Sequence, residues 1–149
     1  MLSDSITEKL TTIEEIENRY GQSIVKIATH EDLVCFENWL IESNFKSSNL
    51  DFKEYLSLVT NYNGFSFNGL FVYSINKDEE HCIYKENNIL WENDSQREHI
   101  FFGDDSISWY CLNIHDAKYY VLDKPSGTIM QYTSTFFELL DLALEAVIP

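Results

Sequence analysis

Over roughly the first third of the chain, apolar side chains return at every third or fourth position. Beyond Gly64 they crowd into short dense runs instead. Ile6, Leu10, Ile13, Ile16 and Tyr20 place one stripe on a helix over residues 5–20, and Gly21 stands where such a helix would end. Residues 23–27 (SIVKI) read as an extended connector. Thr29-His30-Glu31-Asp32 has the form of a capping box: a hydroxyl able to accept free backbone N–H groups, with an acid at the positive end of the helix dipole. Behind it Leu33, Phe36, Trp39 and Leu40 predict the buried face of a second helix ending near Ser43. A polar loop follows over residues 46–49. Phe52, Tyr55, Leu56 and Val59 then mark a third helix over residues 51–62, stopped by Asn63-Gly64.

The later runs are β-branched and aromatic. Strands are predicted over residues 69–75, 88–91, 98–102, 107–114, 118–122 and 128–133, each bounded by Gly, Asp, Asn or Pro. The links at 103–106, 115–117 and 123–127 are too short for the crossover that a parallel return requires, so the strands form antiparallel hairpins. Thr135, with Glu138 three residues on, caps a last helix whose Phe136, Phe137, Leu140, Leu144 and Val147 demand deep packing. Helices, then a meander, then a closing helix predict one α+β domain over residues 1–149: an antiparallel sheet with N-terminal helices and a C-terminal helix packed on it. Trp39, Leu56, Phe101, Leu112, Val121 and Leu140 are expected in its core.

Charge adds what periodicity cannot. The formal net charge is −15 and the sequence pI about 4.4. Between Asp78 and Asp116 ten acids face only Lys85 and Arg97. Such an excess either serves solubility alone or forms a steering surface, which repels nucleic-acid phosphates and anionic lipid and draws basic partners inward. No apolar run has the length of a membrane span. The N-terminus lacks a basic start and an apolar core, and Cys35, Cys82 and Cys111 are odd in number and far apart. A cytoplasmic chain with reduced, mostly buried thiols is expected, with no direct contact to nucleic acid or membrane.

Gly103-Asp104-Asp105 is the one stretch that suggests catalysis. On a turn between strands it could hold catalytic cations, and a small acidic metal-dependent enzyme is the alternative reading. Two-metal phosphoryl transfer also needs basic residues to grip a polyphosphate, however, and the chain has ten Lys and Arg in all. A plain Asp-rich turn in which glycine supplies the unusual dihedrals fits better, so Asp104→Ala and Asp105→Ala should leave the fold intact. The four histidines and three cysteines show no metal-ligand spacing, Ser126 lacks a nucleophile elbow, and no phosphate-binding glycine loop is present. No catalytic residue, metal or cofactor is expected.

The aromatics point elsewhere. Three Trp, nine Tyr and ten Phe exceed what a core of this size requires. Tyr62, Phe65, Phe67, Trp91 and Tyr110 fall at element ends, where amphipathic rings serve as interface anchors. The expected protein-binding residues are Trp91 and Tyr110 as anchors, with Glu92, Asp94, Asp104 and Asp105 as the charged rim.

From residue 28 to about 146 the order of signals resembles the SUKH superfamily, the Smi/Knr-type domains. It runs from the capped helix ATHEDLVCFENWL to DFKEYLSLVTNYNGF with its aromatic-Asn-Gly turn, then Trp91. IFFGDDSISWYCL, YYVLD and the closing TSTFFELLDLAL follow. Asn49-Leu50-Asp51 stands where the family usually has Leu-Pro, and residues 1–27 are a helical extension. The resemblance implies a non-enzymatic α+β domain, in bacteria an immunity protein that neutralises a cognate toxin of an interbacterial competition system. A monomer or weak homodimer facing a basic toxin is the expected form, and a regulatory scaffold without a toxin is the remaining possibility.

Overall fold

Ser3 begins the first helix: its hydroxyl accepts the Ile6 N–H at 3.3 Å, and Asp4 lies in the positive first turn. The helix, α1 (Asp4–Asn18), buries Ile6, Leu10 and Ile13 completely. It stops two residues short of Tyr20, which is therefore 78 % exposed and not part of the buried stripe as expected. The computed structural model describes residues 1–46 and 49–149; Ser47 and Ser48, inside the expected polar loop, lie outside the described residues.

The capping box is formed. Thr29 Oγ1 accepts from Asp32 N at 3.1 Å, and Asp32 Oδ2 accepts from Thr29 N at 2.9 Å, opening α2 (His30–Glu42). Phe36 and Leu40 are buried and Trp39 is half-buried, but Leu33 turns outward. In α3 (Lys53–Asn61) the buried face is Tyr55, Leu58 and Val59, so Leu58 takes the depth expected of Leu56, which is only half-buried.

Six strands follow, hydrogen-bonded in sequence order and all antiparallel: β1 (Phe65–Phe67), β2 (Leu70–Val72), β3 (His99–Asp104), β4 (Ser108–Asn113), β5 (Tyr119–Asp123) and β6 (Ile129–Thr133). The expected strand over residues 69–75 is in fact the second arm of a hairpin. Asn68 and Gly69, at φ 48° and 85°, make its two-residue turn. The expected strand over residues 88–91 is wrong. That segment ends α4 (Ile83–Leu90), because Asn87 is fully buried and bonds both back to Ile83 O and across to β3.

The last helix, α5 (Phe136–Glu145), packs on the sheet and on α1 and α3. Phe136 meets Phe102 of β3 at 5.2 Å and Tyr119 of β5 at 6.2 Å between ring centres, and Tyr55 of α3 at 5.4 Å. Phe101, Leu112, Val121 and Leu140 are buried as expected. The whole is a single α+β domain, with five helices on a six-stranded antiparallel sheet among the described residues.

Candidate functional site: an acidic trough

The Gly103–Asp105 corner is scaffold. Gly103 and Asp104 belong to β3 itself, and Gly103 has no left-handed φ. Glycine is required there for a different reason: a Cβ would lie 2.6 Å from Phe71 O on β2, beside a bulge that shifts the β3–β4 register. Asp104 receives the Tyr73 hydroxyl and, at 3.0 Å, Lys124 Nζ. Asp105 is buried. Its carboxylate accepts Ile107 N at 3.0 Å, Ser108 N at 2.8 Å and the Tyr110 hydroxyl at 2.7 Å. Burial first, and the neighbouring carboxylate second, push the Tyr73 and Tyr110 phenols well above the ordinary tyrosine range. Neither carboxylate is a free ligand, and Tyr110 is not a surface anchor. The expectation that Asp105→Ala leaves the fold intact rests on a turn carboxylate packing little, but this carboxylate is buried and holds three donors, so its loss should be costly.

Trp91 also faces inward more than out. Its Nε1 donates to His99 O at 2.7 Å, and its ring stacks on Trp39 at 5.9 Å and 3° and meets Phe45 edge-on. One turn earlier, Asn87 Nδ2 donates to Phe101 O at 2.9 Å, and Phe101 N donates to Asn87 Oδ1 at 2.7 Å. β2 pairs with β3 at Asp104 and Gly103, Tyr73 N adds one bond to Phe102 O at 2.9 Å, and beyond that point α4 supplies edge partners. Glu92 and Asp94 are exposed as expected, with Arg97 Nε 3.4 Å from Asp94. The six expected binding residues therefore do not form one surface.

A different set does converge. Three adjoining hollows of about 390, 240 and 460 Å³ run along one side of the molecule. The first two share Lys26, and the second and third share Glu31, Cys35 and Lys77. Among the described residues they are lined by seven acids (Glu17, Glu31, Asp32, Glu42, Asp78, Glu79, Glu80) and two lysines. Both lysines are engaged: Lys26 Nζ lies 3.0 Å from Glu79 and Lys77 Nζ 3.8 Å from Glu31. These pairs are exposed and weak, on the order of 0–1 kcal/mol, so an incoming cation can displace them. Ile27 and Val34 are exposed along the walls, and Phe65, Phe71, Trp39 and Tyr84 are half-buried there.

Backbone bridges fix the walls. The connector joins the end of α3 through Lys26 N to Asn61 O and Asn63 N to Lys26 O, both 2.8 Å. Asn63 is itself buried. Its Oδ1 accepts Ile75 N at 2.9 Å and its Nδ2 donates to Asp32 at 3.2 Å, tying the capping box to the strand end. Gly64, at φ 82°, lets the chain pass Ser74 where any Cβ would come within 2.5 Å of that residue's Cβ. On the far wall, the acidic loop of residues 76–82 is closed at its base by Ser74 N to His81 O at 3.2 Å and Ile83 N to Ser74 O at 2.8 Å. The His81 ring then lies against Phe71, 4.4 Å between centres. Only Asp78, Glu79 and Glu80 of this trough fall in the acidic segment picked out from sequence. Glu17, Glu31, Asp32 and Glu42 come from helices far away in the chain, and only folding brings them together.

Among the described residues no three His, Cys, Asp or Glu side chains are placed to hold a metal ion, and no helix is long and apolar enough to cross a membrane. No family model matches the chain, and a search among curated proteins returns no match.

Proposed function

We propose that this is a non-enzymatic protein-binding domain of the SUKH type, an immunity protein that receives a basic face of its cognate toxin in the acidic trough. The carrying observation is that trough: seven acids against two already paired lysines, on walls that also expose apolar side chains. Acids with apolar anchors between them suit a basic protein surface, since the charges steer the encounter and the buried anchors hold it. The full engagement of the Asp104 and Asp105 carboxylates by Tyr73, Lys124, Tyr110 and backbone N–H groups favours binding over a metal enzyme built on them. The proposed site of action is the cytoplasm.

The test is association kinetics against the toxin domain encoded beside this gene, at low and high salt. Changing Glu17, Glu79 and Glu80 together to Lys should slow association by about tenfold or more at low salt and flatten its salt dependence. Wild-type association indifferent to salt and to these reversals would reject the trough as the receiving surface.

A further inference from the structure

At the opposite end of the sheet the acids are few and engaged: Asp123 of β5 accepts from Ser126 Oγ at 2.6 Å, and Asp116 accepts the Tyr120 hydroxyl. Among the described residues β6 is an edge strand, paired with β5 alone. Its residues 129–132 are all exposed, including Ile129 at 60 %, Met130 at 64 % and Tyr132 at 61 %. Residues 125–137 contain no charged side chain, in a chain of net charge −15. Natural edge strands are usually protected by an inward charge, a lysine, a proline or a bulge. The strand itself carries only a bulge: Val121 faces Gln131 and Leu122 faces Ile129, which leaves Met130 as the extra residue. Lys118 Nζ of the neighbouring turn lies over the Tyr132 ring, 5.3 Å from its centre. The other edge, β1, is three residues long.

We propose that β6 is a self-association edge, on which the β6 of a second copy pairs antiparallel about a two-fold axis at Gln131. In that register Met130 of one copy meets Tyr132 of the other, Ile129 meets Thr133, and the two Gln131 amides face each other. The charge distribution selects this occupant. A basic partner finds no carboxylate on the strand itself and meets Lys118 over Tyr132, whereas a second acidic copy meets no acid on it. Five residues of ladder make a small interface, so the dimer is weak and reversible. It is independent of the trough reading, because the two surfaces share no residue.

Sedimentation of the full chain from micromolar to near-millimolar concentration tests it, with circular dichroism to confirm that each variant folds. The wild type should dimerise with concentration, and more tightly as salt screens the −15 on each copy. Gln131→Lys and Gln131→Glu alone should each weaken the dimer by about tenfold or more, since each places like charges across the axis. Mixed one to one, they should recover it as a heterodimer. A wild type that stays monomeric throughout, a dimer indifferent to both variants, or a mixture that fails to recover would overturn the proposal.

Discussion

Two acidic regions of this molecule behave in opposite ways. At the β3–β4 corner, Asp104 and Asp105 point into the structure and each is held by a tyrosine hydroxyl and by further donors. Along the trough, Asp78 and Glu80 sit in solvent, and Glu79 has one weak lysine partner. The residue type is the same and the consequence is reversed. An acid surrounded by donors is a fastener; an acid left with water is a source of field. The number of donors within reach decides which.

Alkaline pH should separate the regions most sharply. The Tyr73 and Tyr110 phenols are raised in the folded state above the ordinary value of 10. Their contribution to stability is therefore complete below pH 10 and is lost as pH rises toward the folded values. Tyrosinate absorbance from these two, identified by its loss in Tyr73→Phe and Tyr110→Phe, should appear only together with collapse of the near-ultraviolet dichroism. Ionisation near pH 10 in an intact fold would mean that the corner is open to water.

Asp105→Ala comes next. It removes the acceptor for two backbone N–H groups and a buried hydroxyl, and should cost about 3 kcal/mol in urea unfolding. Asp104→Ala strands the buried Tyr73 hydroxyl and a half-buried Lys124, and about 2 kcal/mol is expected. The smallest stability effect belongs to the trough: Glu79→Gln with Glu80→Gln should change unfolding by no more than about 0.5 kcal/mol. The same pair should measurably slow capture of a basic partner. A stability loss in the trough pair as large as that of Asp105→Ala would erase the contrast.

Much of the fold was legible because period and capping agree locally. The Thr29–Asp32 box, the strand runs after residue 98 and the Thr135–Glu138 cap each state their structure in a few neighbouring residues. Failures came where a distant partner decides. Residues 88–91 end in an apolar pair before Trp91 and read as a strand, but Asn87 finds the backbone of Phe101 and the segment folds as the end of a helix. The Asn68-Gly69 turn was a local signal that could have been used, since Asn-Gly between aromatic residues marks a hairpin; Phe65–Phe67 is simply too short to stand out as a strand. The trough was legible only in part. The Asp-Glu-Glu run shows in sequence, while the remaining acids reach it from α1 and α2. Asp105 carries no local mark that separates a buried carboxylate from a surface one; only the placement of Tyr110 does.

The hydrogen bonds between α4 and β3 tie two elements of different kind into one unit of opening. Phe101 N–H belongs to a strand, yet its acceptor is the Asn87 side chain, 2.7 Å away. Its exchange with solvent deuterium is then governed by the departure of a helix and not by fraying of a ladder. The Phe101 amide and the interior amides of α4 should share one protection factor, and Asn87→Ala should lower them together while the β4–β5 amides keep theirs. The helix behaves toward β3 as a strand would, so the sheet melts on that side only when α4 lifts away.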